Sequence, residues 1–243
     1  MLYKQLTIYI IGFIFFVACE KADNKFAFPA NKQIAHRGYW TKGAAENSLQ
    51  AVQYAIDAEL YGAEIDVHET KDGIIVVNHD QSYEGIDIPL HSYEDIIDKT
   101  SKKIPVLEDF LILLKKKPRF KLIIEIKSMY KVSSIINLID KYDVFKQVEF
   151  ISFDAKYCEQ LIDYNPTFVV GYLGDDLSPQ YLIDRGYSII DSSYYVYMSN
   201  PQIVIDSLSL GLRVYTWTIN DIDIMSKMYN MGVQCITTDI PVI

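Results

Sequence analysis

Two pairs of charged residues stand at the ends of β-rich runs, and each pair is spaced two positions apart: Glu64 with Asp66, and Glu125 with Lys127. Residues two apart on a strand point to the same face, so the members of each pair project together. Three carboxylates that converge on one small volume repel each other unless a cation neutralises them. Oxygen ligands favour a hard cation, Mg²⁺ or Ca²⁺, over zinc. The spacing therefore predicts a divalent-cation site formed by Glu64, Asp66 and Glu125.

Two histidines and two basic residues accompany these acids. His36-Arg37 follows an early β-rich run, His79 ends a later one, and Lys127 accompanies Glu125. A cation and basic side chains hold the non-bridging oxygens of a phosphodiester, and one imidazole can serve each of the entering and leaving oxygens. We therefore predict a phosphodiesterase with His36 and His79 as general acid and base. A glycoside hydrolase needs only two carboxylates and would leave the histidines without a role.

The elements that must position these residues alternate along the chain. Amphipathic helical stretches separate eight short β-rich runs, which cover 33–36, 63–69, 122–126, 148–153, 168–173, 188–191, 213–219 and 234–237. This alternation predicts an α/β fold, a single (β/α)8 TIM barrel, with an open doubly wound sheet as the alternative. In such a barrel the functional residues lie at the carboxyl ends of the strands, where the charged residues described above stand.

A hairpin signal interrupts this alternation after the second strand. Asp72-Gly73 separates two β-patterned runs, and Asp-Gly is a strong signal for a two-residue turn. We therefore expect Ile74–His79 to return antiparallel beside strand two, as a small β-hairpin insertion after strand 2. A two-residue turn at this point places His79 directly opposite Asp66.

The first residues have the pattern of an export signal. Lys4 precedes an apolar run from Leu6 to Ala18, which is too short to span a bilayer but fits a signal peptide. Phe16-Val17-Ala18-Cys19 is similar to a bacterial lipobox, although Phe16 stands where Leu is usual. We predict a lipoprotein signal peptide over 1–18, a tether over 19–31 and the folded domain over 32–243. An ordinary signal peptide or a short anchor is the alternative.

Net charge and cysteine content limit the classes of partner that this protein can bind. The chain has 23 Lys and Arg against 32 Asp and Glu, a net charge of −9, which excludes tracking along nucleic acid. Its three Cys and four His exclude a disulfide framework and a cysteine-rich zinc module. We expect a small-molecule substrate, no nucleic acid and no protein partner. Lipid on Cys19 would attach the protein to the periplasmic or surface side of a bacterial membrane as a cell-envelope lipoprotein.

Short motifs from residue 34 to residue 241 occur in the order typical of one enzyme family. The chain resembles the glycerophosphodiester phosphodiesterase (GDPD) family in His36-Arg37-Gly38, Glu46-Asn47-Ser48, Gly62–Val67, Thr70–Gly73, His79-Asp80, Ile104–Glu108, Glu125-Ile126-Lys127, Trp217–Asn220 and Thr238–Pro241. The family usually has Pro where this chain has Ala45, and smaller residues where it has Tyr39-Trp40.

The resemblance implies a TIM barrel with a small insertion after strand two. It implies hydrolysis of glycerophosphodiesters to glycerol 3-phosphate and an alcohol, with a divalent cation. By position, the acid/base pair of the family falls on His36 and His79, and its metal ligands fall on Glu64, Asp66 and Glu125. It further implies phosphate contacts for Arg37 and Lys127 and a place in the substrate pocket for Trp217.

Other interpretations remain open at this stage. A phospholipase C or sphingomyelinase D-like enzyme of the same barrel type would act on intact lipid, and a non-catalytic surface lipoprotein would bind a phosphorylated ligand. Glu46 is expected either to bond Arg37 or the metal, or to cap the helix that begins near Ser48. His68 is expected in the pocket wall, and the acids that end strands are expected to cap the next helix: Asp154, Asp191 and Asp239.

Overall fold

Eight parallel strands close on themselves in this computed structural model, which describes residues 28–243. The strands of the described chain are β1 Gln33–Ala35, β2 Gly62–Glu69, β3 Ile75–Val77, β4 Ser82–Tyr83, β5 Ile86–Asp87, β6 Lys121–Ser128, β7 Val148–Ser152, β8 Val169–Leu173, β9 Ile189–Ser193, β10 Arg213–Trp217 and β11 Cys235–Thr238. Around the barrel the order is β1-β2-β6-β7-β8-β9-β10-β11, and β11 pairs with β1 to close it. The predicted (β/α)8 barrel is confirmed.

Most of the helices follow barrel strands and cover their outer faces. They are α1 Leu49–Asp57, α2 Tyr93–Lys99, α3 Leu107–Lys115, α4 Ser133–Tyr142, α5 Ala155–Tyr164, α6 Pro179–Asp184, α7 Tyr194–Ser199, α8 Gln202–Ser209 and α9 Ile222–Met231. Ser48 and Ser178 cap α1 and α6 by accepting from backbone N–H groups, as short polar side chains do at helix starts. The larger apolar core lies between the strands and this helical layer.

The barrel interior follows the two-residue period of the strands. Its middle is filled by Ile34, Ile123, Ile151, Leu173, Ile189, Tyr215 and Cys235. Two positions further along each strand, the inward-pointing side chains become polar on several strands, as at His36, Glu125 and Asp191. The sequence alternation therefore delivers functional side chains to one end of a packed barrel.

At the opposite end, where the strands begin, a polar network closes the interior. The carboxylate of Glu149, only 1% exposed, accepts from Arg213 Nη1 at 2.8 Å and from the hydroxyl of Tyr61 at 2.7 Å. The hydroxyl of Tyr215 donates to the other carboxylate oxygen at 3.1 Å. Each oxygen of this buried acid therefore has a partner, which such a group requires inside a protein.

The hairpin after β2 is present, but its register differs from the predicted one. β2 and β3 pair antiparallel, with Val67 opposite Val77 and Glu69 opposite Ile75. Thr70 N donates to Ile74 O at 2.9 Å, so the loop has three residues, ending at Gly73 with φ 85°. A three-residue loop with glycine in the left-handed conformation is a common hairpin type.

This extra loop residue shifts the pairing by one position. Asn78, not His79, follows opposite Asp66, and Asn78 N donates to Asp66 O at 3.0 Å. The prediction that His79 is the direct cross-strand neighbour of Asp66 is therefore wrong. The strand is also shorter than predicted, because it covers Ile75–Val77 and not Ile74–His79.

The remainder of the insertion forms a small unit beside the barrel. β4 and β5 pair antiparallel, and α2 follows them. Four buried residues hold this unit together as a third apolar cluster: Val76, Ile88, Ile96 and Ile104. Because Val76 belongs to β3, the cluster anchors the hairpin that ends at His79.

Packing of the described chain begins before the predicted domain boundary at residue 32. Phe28 is 2% exposed and packs edge-on against Tyr229 of α9, with ring centroids 5.5 Å apart. Gln33 ties both ends of the described chain, because its amide donates to Phe28 O and to Val242 O. Residues 28–31, placed in the tether by the sequence, are thus part of the folded body. The predicted signal peptide and Cys19 lie outside the described residues.

Within residues 28–243, no helix combines the length and the apolarity needed to cross a membrane.

Candidate active site

A pocket of about 250 Å³ opens at the carboxyl ends of the barrel strands. Every site residue expected from the sequence lines it, except Asp66, which lies beneath its surface and is 1% exposed. The lining residues are His36, Arg37, Glu64, His79, Glu125, Lys127, Ile151, Phe153, Leu173, Asp191, Trp217, Thr218 and Thr237. Barrel closure therefore brings the predicted residues together from strands far apart in sequence.

Glu64, Asp66 and Glu125 form an acidic cluster in the wall of this pocket. Glu64 and Asp66 share one face of β2, and Asp66 is the register partner of Glu125 on the neighbouring β6. One carboxylate oxygen from each residue lies within 4.8 Å of the others. This convergence is the one that the two-residue spacing predicted.

Two acids of this cluster have raised pKa values, as expected where carboxylates lack a compensating positive charge. Burial, and then the nearby Asp66 and Glu125, raise the pKa of Glu64 well above its usual value. Burial and Asp66 likewise raise the pKa of Glu125, against the opposing effect of Lys127. Glu64 Oε1 is buried and has no hydrogen-bond partner in the described chain. Three oxygens so placed fit a hard divalent cation, which would give that orphaned atom a partner.

Two basic side chains flank the acidic cluster. Lys127 Nζ lies 2.8 Å from Glu125 Oε1 and 3.6 Å from Asp66 Oδ1. Arg37 Nη1 donates to Glu46 Oε2 at 2.7 Å, while its Nε lies 3.6 Å from Asp66 Oδ2. Of the two roles expected for Glu46, the structure therefore gives the bond to Arg37. Both cations border the pocket, where they can face an anion.

Asn47 is a supporting residue that the sequence analysis did not single out. Its Nδ2 donates to Asp66 Oδ2 at 2.8 Å, and its Oδ1 accepts from Asp66 N at 3.1 Å. The buried amide thus fixes both the backbone and the carboxylate of Asp66. Asn47 has a φ of 55°, a left-handed conformation that asparagine tolerates better than most residues. Its place in the Glu46-Asn47-Ser48 motif was the available signal.

His36 is held by an acid that directly follows the last barrel strand. Its Nδ1 donates to Asp239 Oδ1 at 2.8 Å, and Asn220 Nδ2 donates to the second carboxylate oxygen at 2.8 Å. Burial raises the pKa of Asp239, but the bonds from His36 and Asn220 outweigh it and leave the pKa below its usual value. Asp239 is therefore an ionised partner of His36. The expectation that it caps a helix is wrong.

His79 has a similar partner and a second support. Its Nδ1 lies 2.7 Å from Asp80 Oδ1, and this bond lowers the pKa of Asp80. The ring of His68 lies behind it, with Nε2 3.2 Å from the His79 carbonyl and Nδ1 2.7 Å from Ser128 Oγ. Burial lowers the pKa of His68, so its neutral ring can donate to that carbonyl. His68 is thus a buried support of the His79 segment.

The far side of the pocket is largely apolar. Trp217 and Phe153 meet edge to face with ring centroids 5.6 Å apart, and Ile151 and Leu173 complete this wall. Asp191 is the one acid within it. Asp191 caps no helix, contrary to expectation, because α7 begins after Ser193 without a side-chain cap. Asp154 does cap α5, as expected.

Comparison with known proteins agrees with this geometry. The sequence model of the glycerophosphoryl diester phosphodiesterase family matches residues 36–243. The chain is 26% identical over 231 residues to the probable glycerophosphodiester phosphodiesterase 2 of Mycobacterium tuberculosis, covering 85% of this chain and 86% of that protein.

Solved structures show the same likeness. A glycerophosphodiester phosphodiesterase from Parabacteroides distasonis superposes with a TM-score of 0.82 at 35% identity, covering 88% of this chain and 95% of that one. A phosphodiesterase from Oleispira antarctica, solved with the product sn-glycerol-3-phosphate, shares the fold at a TM-score of 0.73 and 21% identity, over 86% of this chain and 93% of that one.

Proposed function

The chain belongs to the glycerophosphoryl diester phosphodiesterase family, and from that membership we propose how its pocket hydrolyses glycerophosphodiesters to glycerol 3-phosphate and an alcohol. One observation carries the mechanism. Two imidazoles, each bonded through Nδ1 to a carboxylate, enter the pocket that also holds the acidic cluster. The comparisons give no support to the alternatives that act on intact lipid or that lack catalysis.

Glu64, Asp66 and Glu125 would hold a divalent cation, and we propose Mg²⁺ or Ca²⁺ because all three ligands are carboxylate oxygens. When bound, such a cation supplies positive charge that stabilises the anionic phosphate as negative charge develops in the transition state. Lys127 and Arg37 border the same pocket, where they can hold the non-bridging phosphate oxygens. Their ion pairs with Glu125, Asp66 and Glu46 keep both cations in place before the substrate binds.

The histidines move the protons of the reaction. One imidazole takes a proton from the attacking oxygen as the new phosphorus–oxygen bond forms. The other gives a proton to the leaving alcohol oxygen as its bond to phosphorus breaks, so that a neutral alcohol departs. In each ring the carboxylate on Nδ1 leaves Nε2 free for this exchange. No serine or cysteine is bonded to His36 or His79 in residues 28–243, which argues against a covalent phosphoenzyme.

The first experiment compares His36→Ala, His79→Ala and the double variant, with release of glycerol 3-phosphate from glycerophosphocholine as the assay. Each single change should lower kcat by about 10²–10⁴-fold. The double variant should be little worse than the poorer single one, because residues that act as a unit are not additive. Additive losses, or activity that persists in EDTA, would contradict the proposed mechanism.

The attacking oxygen has two possible sources, water or the glycerol hydroxyl next to the phosphate. Attack by the hydroxyl would give a cyclic phosphate that is then hydrolysed, and diesters without a neighbouring hydroxyl would be cleaved far more slowly than glycerophosphodiesters. Equal rates would show that water attacks directly.

We also propose that residues 1–18 are removed and that Cys19 carries lipid, which would place the enzyme in the bacterial cell envelope. The lipobox-like Phe16–Cys19 sequence supports this proposal. Cys19→Ala or globomycin should leave an uncleaved precursor, and the wild type should fractionate with membranes. A mature form that begins after residue 18 without lipid would refute it.

A further inference from the structure

Asp191 is a buried acid for which the proposed mechanism has no use. It is 1% exposed, and its Oδ1 has no hydrogen-bond partner among the described residues. Its backbone carbonyl, by contrast, accepts from Gly174 N at 3.1 Å and from Trp217 Nε1 at 3.3 Å. The main chain is therefore satisfied while the side chain is not. Burying an unpaired carboxyl is unfavourable, so its retention needs an explanation.

The position of Asp191 directs it into the substrate pocket. It follows the inward-pointing Ile189 by two residues on β9, so its side chain also points into the barrel. β9 lies across the barrel from β2, which carries Glu64 and Asp66. A substrate whose phosphate lies at the acidic cluster can therefore extend one of its ends toward Asp191.

The neighbours of Asp191 supply no hydrogen-bond donor to its carboxyl. Leu173 is its register partner on β8, and Trp217 points inward from β10 on the other side. Phe153 packs against Trp217 and is 52% exposed, so two aromatic rings line the same pocket as this acid. Aromatic faces attract cations, and most strongly when water is excluded. A carboxyl group beside them adds a negative charge once a bound cation favours its ionisation.

We propose that Asp191, with Trp217 and Phe153, binds a cationic nitrogen on the alcohol half of the diester. The preferred substrates are then glycerophosphodiesters of cationic amino alcohols, and Asp191 is a specificity-determining residue. This inference rests on the proposed function of the same pocket.

The charge of the ligand follows from the surroundings of the carboxyl. Burial, and then Glu125 and Glu149, raise the pKa of Asp191 well above its usual value, and no positive side chain within residues 28–243 opposes them. A bound ammonium group provides a positive charge beside Asp191, and its carbon substituents pack on Trp217 and Phe153. A neutral hydroxyl group brings no positive charge to favour ionisation of Asp191 and would make less use of the aromatic faces.

The test compares three substrates in the wild type and in Asp191→Asn, which has nearly the same shape without the charge. The substrates are glycerophosphoethanolamine, glycerophosphocholine and the neutral glycerophosphoglycerol. For each amine diester, the ratio of its kcat/KM to that for glycerophosphoglycerol should fall by about 10-fold or more, mainly through KM. Asp154→Asn, which changes a helix cap outside the pocket lining, is the matched control and should leave these ratios unchanged.

The outcomes separate this inference from the proposed function. An equal fall in kcat/KM for all three substrates would give Asp191 a structural role and overturn the inference. A selective loss of glycerophosphoglycerol would assign Asp191 to a hydroxyl group and overturn it as well. A loss confined to glycerophosphoethanolamine would show that an N–H donor is required, which narrows the cation to a protonated amine. Failure of the wild type to hydrolyse any of the three would instead refute the proposed function.

Discussion

The carboxylate bonded to Nδ1 of each proposed catalytic histidine leaves Nε2 as the nitrogen that can face a substrate. For His36 that carboxylate belongs to Asp239, which Asn220 also holds. An ionised acid at Nδ1 fixes the proton there and stabilises the imidazolium that forms during proton transfer. Asp239 is thus a positioning residue, because it acts through His36 and not on the substrate.

Asp239→Asn should lower kcat by about 10²-fold or more, within the range of general acid–base contributions, while KM changes little. The amide can leave His36 with its proton on the wrong nitrogen, so the pH profile of kcat should change as well. Steady-state kinetics across pH measure both effects, with Asp154→Asn as a control for the loss of an acid that follows a strand. A rise in KM with unchanged kcat would contradict a positioning role.

Cation binding at the acidic cluster should depend on pH in a direction set by Glu64. The folded-state pKa of Glu64 lies well above the usual value of 4.5. Between these two pKa values, Glu64 holds its proton in the folded protein but loses it in the unfolded chain. Without a cation, the Glu64 contribution to the free energy of unfolding therefore falls as pH rises through that window. A cation needs deprotonated carboxylates, so protons compete with it.

We accordingly expect the rise in Tm on adding Mg²⁺ or Ca²⁺ to be larger at about pH 8 than at about pH 5. In Glu64→Gln the rise should shrink at the higher pH, because one carboxylate ligand is lost. Thermal unfolding with and without EDTA measures this difference. A rise in Tm that does not depend on pH would contradict cation binding at these carboxylates.

Residue types and spacing were sufficient to identify the catalytic and metal-binding candidates, but not their supports. Glu64 and Asp66 could be paired because a strand has a fixed period of two. Barrel closure sets the contacts of Asp239 and Asn47 and the surroundings of Asp191. The contacts join residues far apart in sequence, 203 residues for His36–Asp239 and 19 for Asn47–Asp66. For Asp239 and Asp191 the local interpretation is a helix cap, and tertiary structure overrides it.

At the scale of elements, the hairpin after β2 carries His79 to the pocket. Its three-residue loop places Gly73 at φ 85°, where a side chain is strained, although an added Cβ would meet nothing closer than 3.8 Å. The effect of a substitution there comes from backbone conformation and not from a steric clash.

Gly73→Ala and Gly211→Ala form a matched pair, because Gly211 has φ 91° and open space around it in the loop between α8 and β10. Each change should lower the free energy of unfolding by about 1–2 kcal/mol. Only Gly73→Ala should also lower kcat, since it alone perturbs the hairpin that ends at His79. Urea unfolding measures the effect on stability, and steady-state kinetics measure the effect on kcat. Equal kcat values in the two variants would show that the geometry of the hairpin does not affect catalysis.

The same hairpin shows which features of the elements could be predicted from sequence patterns and which could not. The alternation of β-rich and amphipathic segments predicted all eight barrel strands, because burial on both faces requires apolar runs. The Asp-Gly signal predicted the hairpin but not its loop length, and one additional residue moves His79 away from Asp66. Hydrogen bonds of Thr70 with Ile74 and Gly73 determine that length.

Across the whole molecule, the two ends of the barrel have separate roles. The carboxyl ends of the strands hold the pocket, while Glu149, Arg213, Tyr61 and Tyr215 fill the other end with a satisfied polar network. None of these four residues lines the pocket. The second end therefore contributes stability and not chemistry, as is general for this architecture.

Glu149→Gln should lower the free energy of unfolding by about 3 kcal/mol, because it leaves the Arg213 charge without its buried partner. Replacing both residues with Met should be less destabilising than that single change, since no unpaired charge remains. Both variants should keep the wild-type kcat at temperatures where they are folded. Chemical denaturation and kinetics measure the two properties, and a large loss of kcat in the folded variants would contradict this separation.

The burial of Phe28 against Tyr229, together with the bond between Phe28 and Gln33, also fixes where the described chain enters the barrel. The chain enters the body just before β1 begins, whereas the pocket opens where the strands end. Residues 28–31, where the described chain begins, therefore lie at the pole of the barrel opposite the pocket mouth. Attachment to a membrane through Cys19, as proposed above, would reach the barrel from that pole and would leave the pocket mouth on the side away from the membrane.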